Sequence, residues 1–391
     1  MSTRSIRNRF LPLLMLVGAS TQLMAIPAWA RLTGTSCSTC HQTPSLQLTS
    51  IGLEFQRNGF RSEATKLDAK SQTVGNYVSL TFEGNITGTK GATPSSQTDK
   101  PVIGLITGGA LSDHFSYLAM YYPNASSDPT ANLETAYLQY NTSLGKNALL
   151  TIRGGQINPI VLRNFGLGVS STVGAPLVLN TPVNANSPFT FDGGGRGIDA
   201  NLYLGTFELT TGIVDPATGT AQTNPTNRKD TYAAVLWRFD DWASGVGVLR
   251  YDGQNMVFNT PGDPKTGVAF ADKFNHNGFM ARFIRDKWRV MGAIYEASHQ
   301  VDTLGTQVKS RGWYSLVDFY FNDNIGAFAR YEKQSPDRND NSLYNKMAML
   351  GLNGMLFQTD KSGGRWVLQA HQTDQNGQMD KQILLNVVWA F

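Results

Sequence analysis

Alternation with a period of two runs through most of this chain, and it dictates the fold class. In Val78-Leu80-Phe82 the intervening Ser79, Thr81 and Glu83 are polar. The pattern recurs at Ala136-Leu138-Tyr140, Ile198-Ala200-Leu202-Leu204, Phe207-Leu209, Val235-Trp237-Phe239, Phe279-Ala281-Phe283, Trp288-Val290, Val317-Phe319-Phe321 and Trp366-Leu368-Ala370. Successive side chains of a β-strand point to opposite faces, so each segment reads as a strand with one apolar face. The opposite face carries Glu83, Arg153, Asp199, Arg282, Asp318, Arg330 and Gln369. A water-soluble barrel would turn its apolar face inward. Charges opposite it fit a lumen lining, with the apolar face toward lipid. No run of ~18 apolar residues occurs, which excludes spanning helices. Charged residues are only 16% of the chain, against ~25% in soluble domains.

The spacing predicts strands near 76–88, 101–110, 114–123, 132–141, 147–157, 194–205, 206–214 and 229–239. It predicts eight more near 243–253, 275–285, 287–298, 311–321, 325–333, 344–354, 364–373 and 382–391. The expected fold is an all-β, sixteen-stranded antiparallel transmembrane barrel over 71–391, an even number of strands each near the length that crosses a tilted bilayer. Gly205-Thr206, Asp240-Asp241-Trp242, Arg285-Asp286-Lys287 and Asn322-Asp323-Asn324 read as tight turns. Longer connections fall near 89–100, 158–193, 215–228, 254–274, 299–310 and 334–343. Long loops on one side and short turns on the other are the outer-membrane pattern. Alternation is poor near 101–110 and 344–354, and the turn at 355–363 is long for its side. The last strand places Ile383, Leu385, Val387, Trp389 and the final residue Phe391 on one face. The longest connection, 158–193, is rich in apolar residues, which argues against disorder and for folding into the lumen or over the outer mouth.

The first thirty residues read as a secretory signal. Arg4, Arg7 and Arg9 form a basic start, Phe10–Val17 an apolar core, and Ala28-Trp29-Ala30 a small-x-small cleavage site. Removing 1–30 lowers the formal charge from +4 to +1. No basic stretch survives, so nucleic acid is not an expected partner.

Seven residues into the expected mature chain stands Cys37-Ser38-Thr39-Cys40-His41. C-x-x-C-H is the attachment signature of c-type haem: two thiols bind the porphyrin and the histidine ligates its iron. These are the only 2 cysteines. A zinc site needs about four ligands and no second Cys/His cluster exists. A disulfide across two residues would constrain little chain entropy. One haem c on Cys37 and Cys40, with His41 as axial ligand, is therefore the expected cofactor. Residues 31–70 are near the lower size limit for independent folding, so this segment needs a wall from the barrel. Ile51 and Phe55 fall on one helical face, as haem contacts or as an ordinary amphipathic helix. Gly52 could admit close approach of a porphyrin.

Arg31-Leu32-Thr33-Gly34, the C-S-T-C-H run, Leu48-Thr49-Ser50-Ile51-Gly52, Phe55 and Asn58-Gly59-Phe60 together resemble the cytochrome–porin fusion family. That family includes outer-membrane iron(II) oxidases. The motif match covers about residues 28–62; over the barrel it rests on architecture. The resemblance implies an N-terminal monohaem segment plugging the barrel. It also implies transfer of electrons from extracellular iron(II), or another reductant, to a periplasmic c-type cytochrome. Outer-membrane lipid and the barrel-assembly machinery are the remaining expected partners.

No Met or His lies between His41 and residue 113, so the plug offers no conventional sixth ligand. Either the iron is five-coordinate or the barrel supplies one. His114, at the periplasmic end of the third strand, is the candidate. His276, His299 and His371 fall toward the outer rim, as a trio for iron(II) or copper or, on the plainer and better-supported reading, as polar rim histidines. Arg153, Arg282 and Arg330 are candidate partners for haem propionates, or ordinary lumen charges. Two rival functions remain. One is a porin whose plug gates or senses solute. The other is a haem peroxidase, for which no distal His–Arg pattern is apparent.

Overall fold

The computed structural model describes residues 27–45, 47–61, 76–90, 95–99, 101–125, 133–159, 162, 165, 171–180, 189–191, 195–215, 228–240, 244–258, 269–300, 304–340, 342–359 and 362–391. The body of the signal and residues 62–75 lie outside them.

Two short strands belong to the N-terminal segment, β1 (His41–Gln42) and β2 (Gln47–Leu48). The wall follows as β3 (Val78–Lys90), β4 (Ser95–Thr98), β5 (Val102–Ala110), β6 (Phe115–Tyr121), β7 (Leu133–Gly145), β8 (Ala148–Ile157) and β9 (Gly195–Leu204). It continues as β10 (Phe207–Val214), β11 (Asp230–Arg238), β12 (Gly245–Phe258), β13 (Ala269–Arg285), β14 (Trp288–Gln300) and β15 (Gln307–Asn322). It ends with β16 (Ile325–Ser335), β17 (Asn345–Gln358), β18 (Gly363–Gln375) and β19 (Gln378–Ala390).

Every pairing is antiparallel and the sheet closes. The short β4 and the longer β5 pair with successive stretches of β3, so together they act as one strand. The barrel therefore has sixteen staves, as the sequence spacing predicts. The seam is β19 against β3, with Trp389 opposite Phe82. Phe391 completes it: its N–H donates to Leu80 O at 3.1 Å and its C=O accepts from Leu80 N at 2.9 Å. The terminal aromatic is thus bonded into the wall.

One barrel end carries the chain start of β3, Phe391 and the connections 111–114, 146–147, 205–206, 239–244, 286–287, 323–324 and 359–362. The other carries 91–94, 122–132, 158–194, 215–229, 259–268, 301–306 and 336–344. Short turns mark the periplasmic end of such barrels. Two expectations are corrected. The turn at 355–363 is tight, because β17 runs on to Gln358 and Thr359 N bonds to Ser362 O at 2.7 Å. The connection expected over 374–381 shrinks to Asn376 (φ 51°) and Gly377 (φ 87°), a two-residue hairpin whose positive φ values suit Asn-Gly. The strands extend past the expected bounds here because, beyond the bilayer, water bathes both faces and alternation fades.

Alternation follows burial as expected. Ile198, Val248, Phe279 and Leu350 project outward and are half or more exposed. Arg153, Asp199, Arg282, Asp318, Arg330 and Gln369 point inward and are buried. Near the periplasmic end the outward face bears an aromatic girdle. Trp288 lies against Phe319 (4.6 Å), Trp237 against Phe239 (5.5 Å) and Phe82 against both Trp389 (5.8 Å) and Phe391 (5.7 Å). Aromatic rings favour this headgroup level.

Among the described residues, large side chains of the wall are buried on the lumen face. Tyr232, Tyr251, Tyr295, Tyr314, Leu316 and Phe328 face inward, and each is at most 4% exposed. From the outer side, described parts of the long connection enter the lumen. Val173 N donates to Gln369 Oε1 (3.0 Å), Leu177 N donates to Glu332 Oε2 (2.7 Å), and Val178 packs against Gly312. Phe189 and Phe191 stack near Tyr251, Phe274 and Tyr295. The expectation that 158–193 folds inward holds for these residues.

Candidate functional site

The N-terminal segment sits against the barrel end that carries the short turns. It comprises α1 (Pro27–Thr33), α2 (Cys37–Cys40), β1, β2 and α3 (Ser50–Arg57). Thr49 caps α3: its side chain accepts from Gly52 N at 3.1 Å and donates to Thr39 O at 2.8 Å. Its own N–H donates to Cys40 O at 3.0 Å. One residue thereby ties the helix start to the cysteine turn, and an N-cap of this kind contributes about 1 kcal/mol. A Cβ at Gly52 would stand 2.2 Å from Cys40 O, so glycine here lets α3 cross the cysteine turn closely.

Trp29, Phe55 and Phe60 form the segment's aromatic core, with Trp29 stacked on Phe60 at 4.3 Å. Trp29 Nε1 also donates to Gly108 O at 2.9 Å, and Ala28 N to Ser79 Oγ at 2.9 Å. Cleavage at the expected site after Ala30 would remove Ala28 and Trp29 from the cluster.

Polar clamps hold the segment in place. Asn141 Nδ2 donates to Arg57 O at 2.5 Å, while the Arg57 guanidinium pairs with Glu208 at 3.3 Å and covers the Tyr203 ring at 4.6 Å. Arg61 Nη2 donates to Phe115 O at 2.7 Å and Ser112 O at 2.6 Å. Deeper, Ser45 accepts from Arg289 Nη1 (3.1 Å) and Tyr320 OH (3.0 Å). Arg289 also bonds Ser171 of the inserted connection and pairs with Asp318 through Nε at 2.6 Å. Plug and inserted connection therefore meet on one guanidinium.

A cavity of about 680 Å³ opens between this segment and the periplasmic turns, within the ~300–1,000 Å³ usual for small-molecule sites. Cys40, Ile51 and Phe55 line one side, and His114, Asn141 and Leu149 the other. Ile51 and Phe55 thus share a wall, as their spacing predicts. His114 Nδ1 lies 2.9 Å from Asn141 O. A ring N–H donated to that carbonyl leaves Nε2 as a lone-pair donor. Cys37 and Cys40 are free thiols. Burial, with the charge of Cys40 adding, pushes the Cys37 thiol up to about 11, and burial also raises Cys40. Burial thus disfavours the thiolate form of both. Among the described residues no three His, Cys, Asp or Glu side chains converge as a metal cage.

The structure brings Cys40 and His114 to one cavity. Cys37 is buried behind it, and His41 pairs with Leu48 in the β1–β2 ladder beside it. The three lumen arginines do not line this cavity. Arg153 pairs with Asp199 through Nε at 2.9 Å, Arg330 pairs with Glu332 at 3.1 Å, and Arg282 bonds Gln47 at 3.4 Å. Their strands face the lumen, not the cavity. Arg61 lines the cavity instead; it carries no motif, and only its closeness to the cysteines could have flagged it. The expected rim trio reduces to a pair. His276 and His299 touch, while His371 stands on β18 opposite Met349.

No protein family and no curated protein matched this chain. Among solved structures it is similar to OmpT of Vibrio cholerae in trimer form, with 11% identity, a TM-score of 0.57, and coverage of 80% of this chain and 98% of that one. It is likewise similar to an anion-selective porin from Comamonas acidovorans (12%, 0.57, 80% and 98%) and to OprB of Pseudomonas putida (10%, 0.51, 80% and 94%). These likenesses establish the fold: a porin-like transmembrane β-barrel of the outer-membrane type.

Proposed function

We propose that this chain is an outer-membrane electron-transfer protein. It would pass electrons from an extracellular donor, iron(II) first among them, to a periplasmic c-type cytochrome. A c-type haem would supply a one-electron couple at the periplasmic mouth. Cys37 and Cys40 would hold it covalently, with His41 and His114 as the iron's ligands. The observation that carries the reading is the cavity shared by Cys40 and His114. Ile51, Phe55 and Leu149 supply apolar wall for a flat macrocycle, and Asn141 O holds His114 in the ligating tautomer. Burial and axial ligation by the chain set the potential of such a group.

The second reading is a porin, and the barrel fold favours it. An open pore leaves lumen side chains in water, whereas Tyr232, Tyr251, Tyr295 and Tyr314 are at most 3% exposed. Such burial of the described lumen side chains suits a conduit for electrons better than one for solutes. Two assays on the purified holoprotein separate the readings. Optical monitoring during iron(II) addition reports haem reduction, and liposome swelling reports solute flow. Reduction without swelling supports the proposal; swelling without reduction supports the porin.

A further inference from the structure

Toward the outer end of the lumen, two buried histidines are paired. His276 lies on β13 opposite Tyr251 of β12, and His299 lies at the end of β14 opposite Phe274. Their Nε2 atoms are 3.1 Å apart, and the two residues are 3% and 2% exposed. His299 Nδ1 lies 2.8 Å from Asp272 Oδ2, while Asp272 Oδ1 accepts from Gln300 N at 2.9 Å. Asp272 is fully buried, and among the described residues only His299 stands within ion-pair distance of its carboxylate. Phe189, Phe191 and Phe274 pack around the imidazoles.

We propose that His276 and His299 form a two-histidine site for a divalent first-row transition metal. Three physical facts converge on this. The first is distance. Two imidazole nitrogens bound at ~2.0–2.1 Å and separated by the observed 3.1 Å subtend about 98° at the metal, between octahedral and tetrahedral values. The second is orientation. A carboxylate fixing the Nδ1–H tautomer of a ligating histidine is the usual outer shell of such sites, and it aims the Nε2 lone pair of His299 into the gap. The His276 lone pair comes free when that ring carries its proton on Nδ1. The third is charge. A buried carboxylate without a cation is costly, and a metal on His299 would balance Asp272. Imidazole suits iron, zinc, copper and nickel. With two protein ligands, water or other small ligands complete the shell. If the electron-transfer reading holds, this is where iron(II) docks. The site itself does not depend on that reading.

The test uses the purified full-length holoprotein in detergent and zinc(II), which is redox-silent and so independent of any haem chemistry. Equilibrium dialysis with metal analysis should give one zinc per chain, displaced by excess iron(II). His276→Gln and His299→Gln, which keep the side-chain volume and polarity, should abolish binding. Asp272→Asn should weaken it about 10–100-fold, and His371→Ala should leave it unchanged. Phe189→Ala, which opens the aromatic cover, should speed loading without lowering stoichiometry. Heat-modifiable migration on a gel checks that each variant is a folded barrel. Absence of zinc from the wild-type protein, or retention of zinc by the folded His276→Gln/His299→Gln double variant, overturns the proposal.

Discussion

Cys40 of the N-terminal segment and His114 of the β5–β6 turn face one cavity of about 680 Å³. The plug brings the thiol, and a periplasmic turn of the barrel brings the imidazole. Neither element builds the site alone. The first prediction tests this division. If the proposed haem is present, His114→Ala should keep it attached, since the cysteines are untouched, but convert a six-coordinate low-spin spectrum to a five-coordinate high-spin one. Optical and electron paramagnetic resonance spectra of the purified variant decide it. An unchanged spectrum removes His114 as a ligand.

The Arg289 junction yields a second prediction. Arg289 is fully buried against Asp318 and bonds both Ser45 of the plug and Ser171 of the inserted connection. Arg289→Ala leaves a buried carboxylate without its cation, which costs about 3–5 kcal/mol. The midpoint of urea unfolding should fall accordingly. Single-channel conductance in planar bilayers should rise, because plug and connection lose their common tie. A variant as stable and as closed as the wild type would show that the junction does not hold the lumen shut.

The lipid-facing band makes a third. Val248 and Phe279 are directly cross-strand and each about half exposed on the outer face. Val248→Arg or Phe279→Arg should destabilise the barrel by about 2–4 kcal/mol if they lie near the bilayer midplane. The readout is reversible denaturant unfolding in lipid vesicles. A neutral effect would argue that this face meets water or a protein partner.

Much of this fold was legible before any coordinates. Inside the bilayer one face meets lipid and the other the lumen, so residues such as Phe279, Ala281 and Phe283 alternate cleanly and mark their strand. Strand ends beyond the membrane, such as 269–274 or 374–375, lose that contrast, and their bounds were read short. The cysteine motif is legible because two thiols and a histidine fall within five residues. The partners that position it are not. Asn141, Glu208, Arg61 and Arg289 reach the plug across sequence separations that carry no local pattern. The rim histidines were visible as residue types, but only the register of β13 with β14 brings His276 against His299 and leaves His371 out.

Export processing gives a fourth prediction. The small-x-small sequence Ala28-Trp29-Ala30 predicts a mature N-terminus at Arg31. Intact mass and N-terminal sequencing of protein recovered from outer membranes check it. A mature chain that retains Trp29 would instead keep the ring stacked on Phe60 and bonded to Gly108.

The most direct measurement of the central claim is stopped-flow absorbance of the purified holoprotein in sealed liposomes, with its long-loop end outward, an oxidised c-type cytochrome trapped inside, and iron(II) added outside. The account predicts reduction of the protein's own haem, followed by reduction of the trapped cytochrome, while the vesicles stay impermeable to small solutes. Absence of haem absorbance, or failure of iron(II) to reduce it across neutral and acidic pH, would contradict the account.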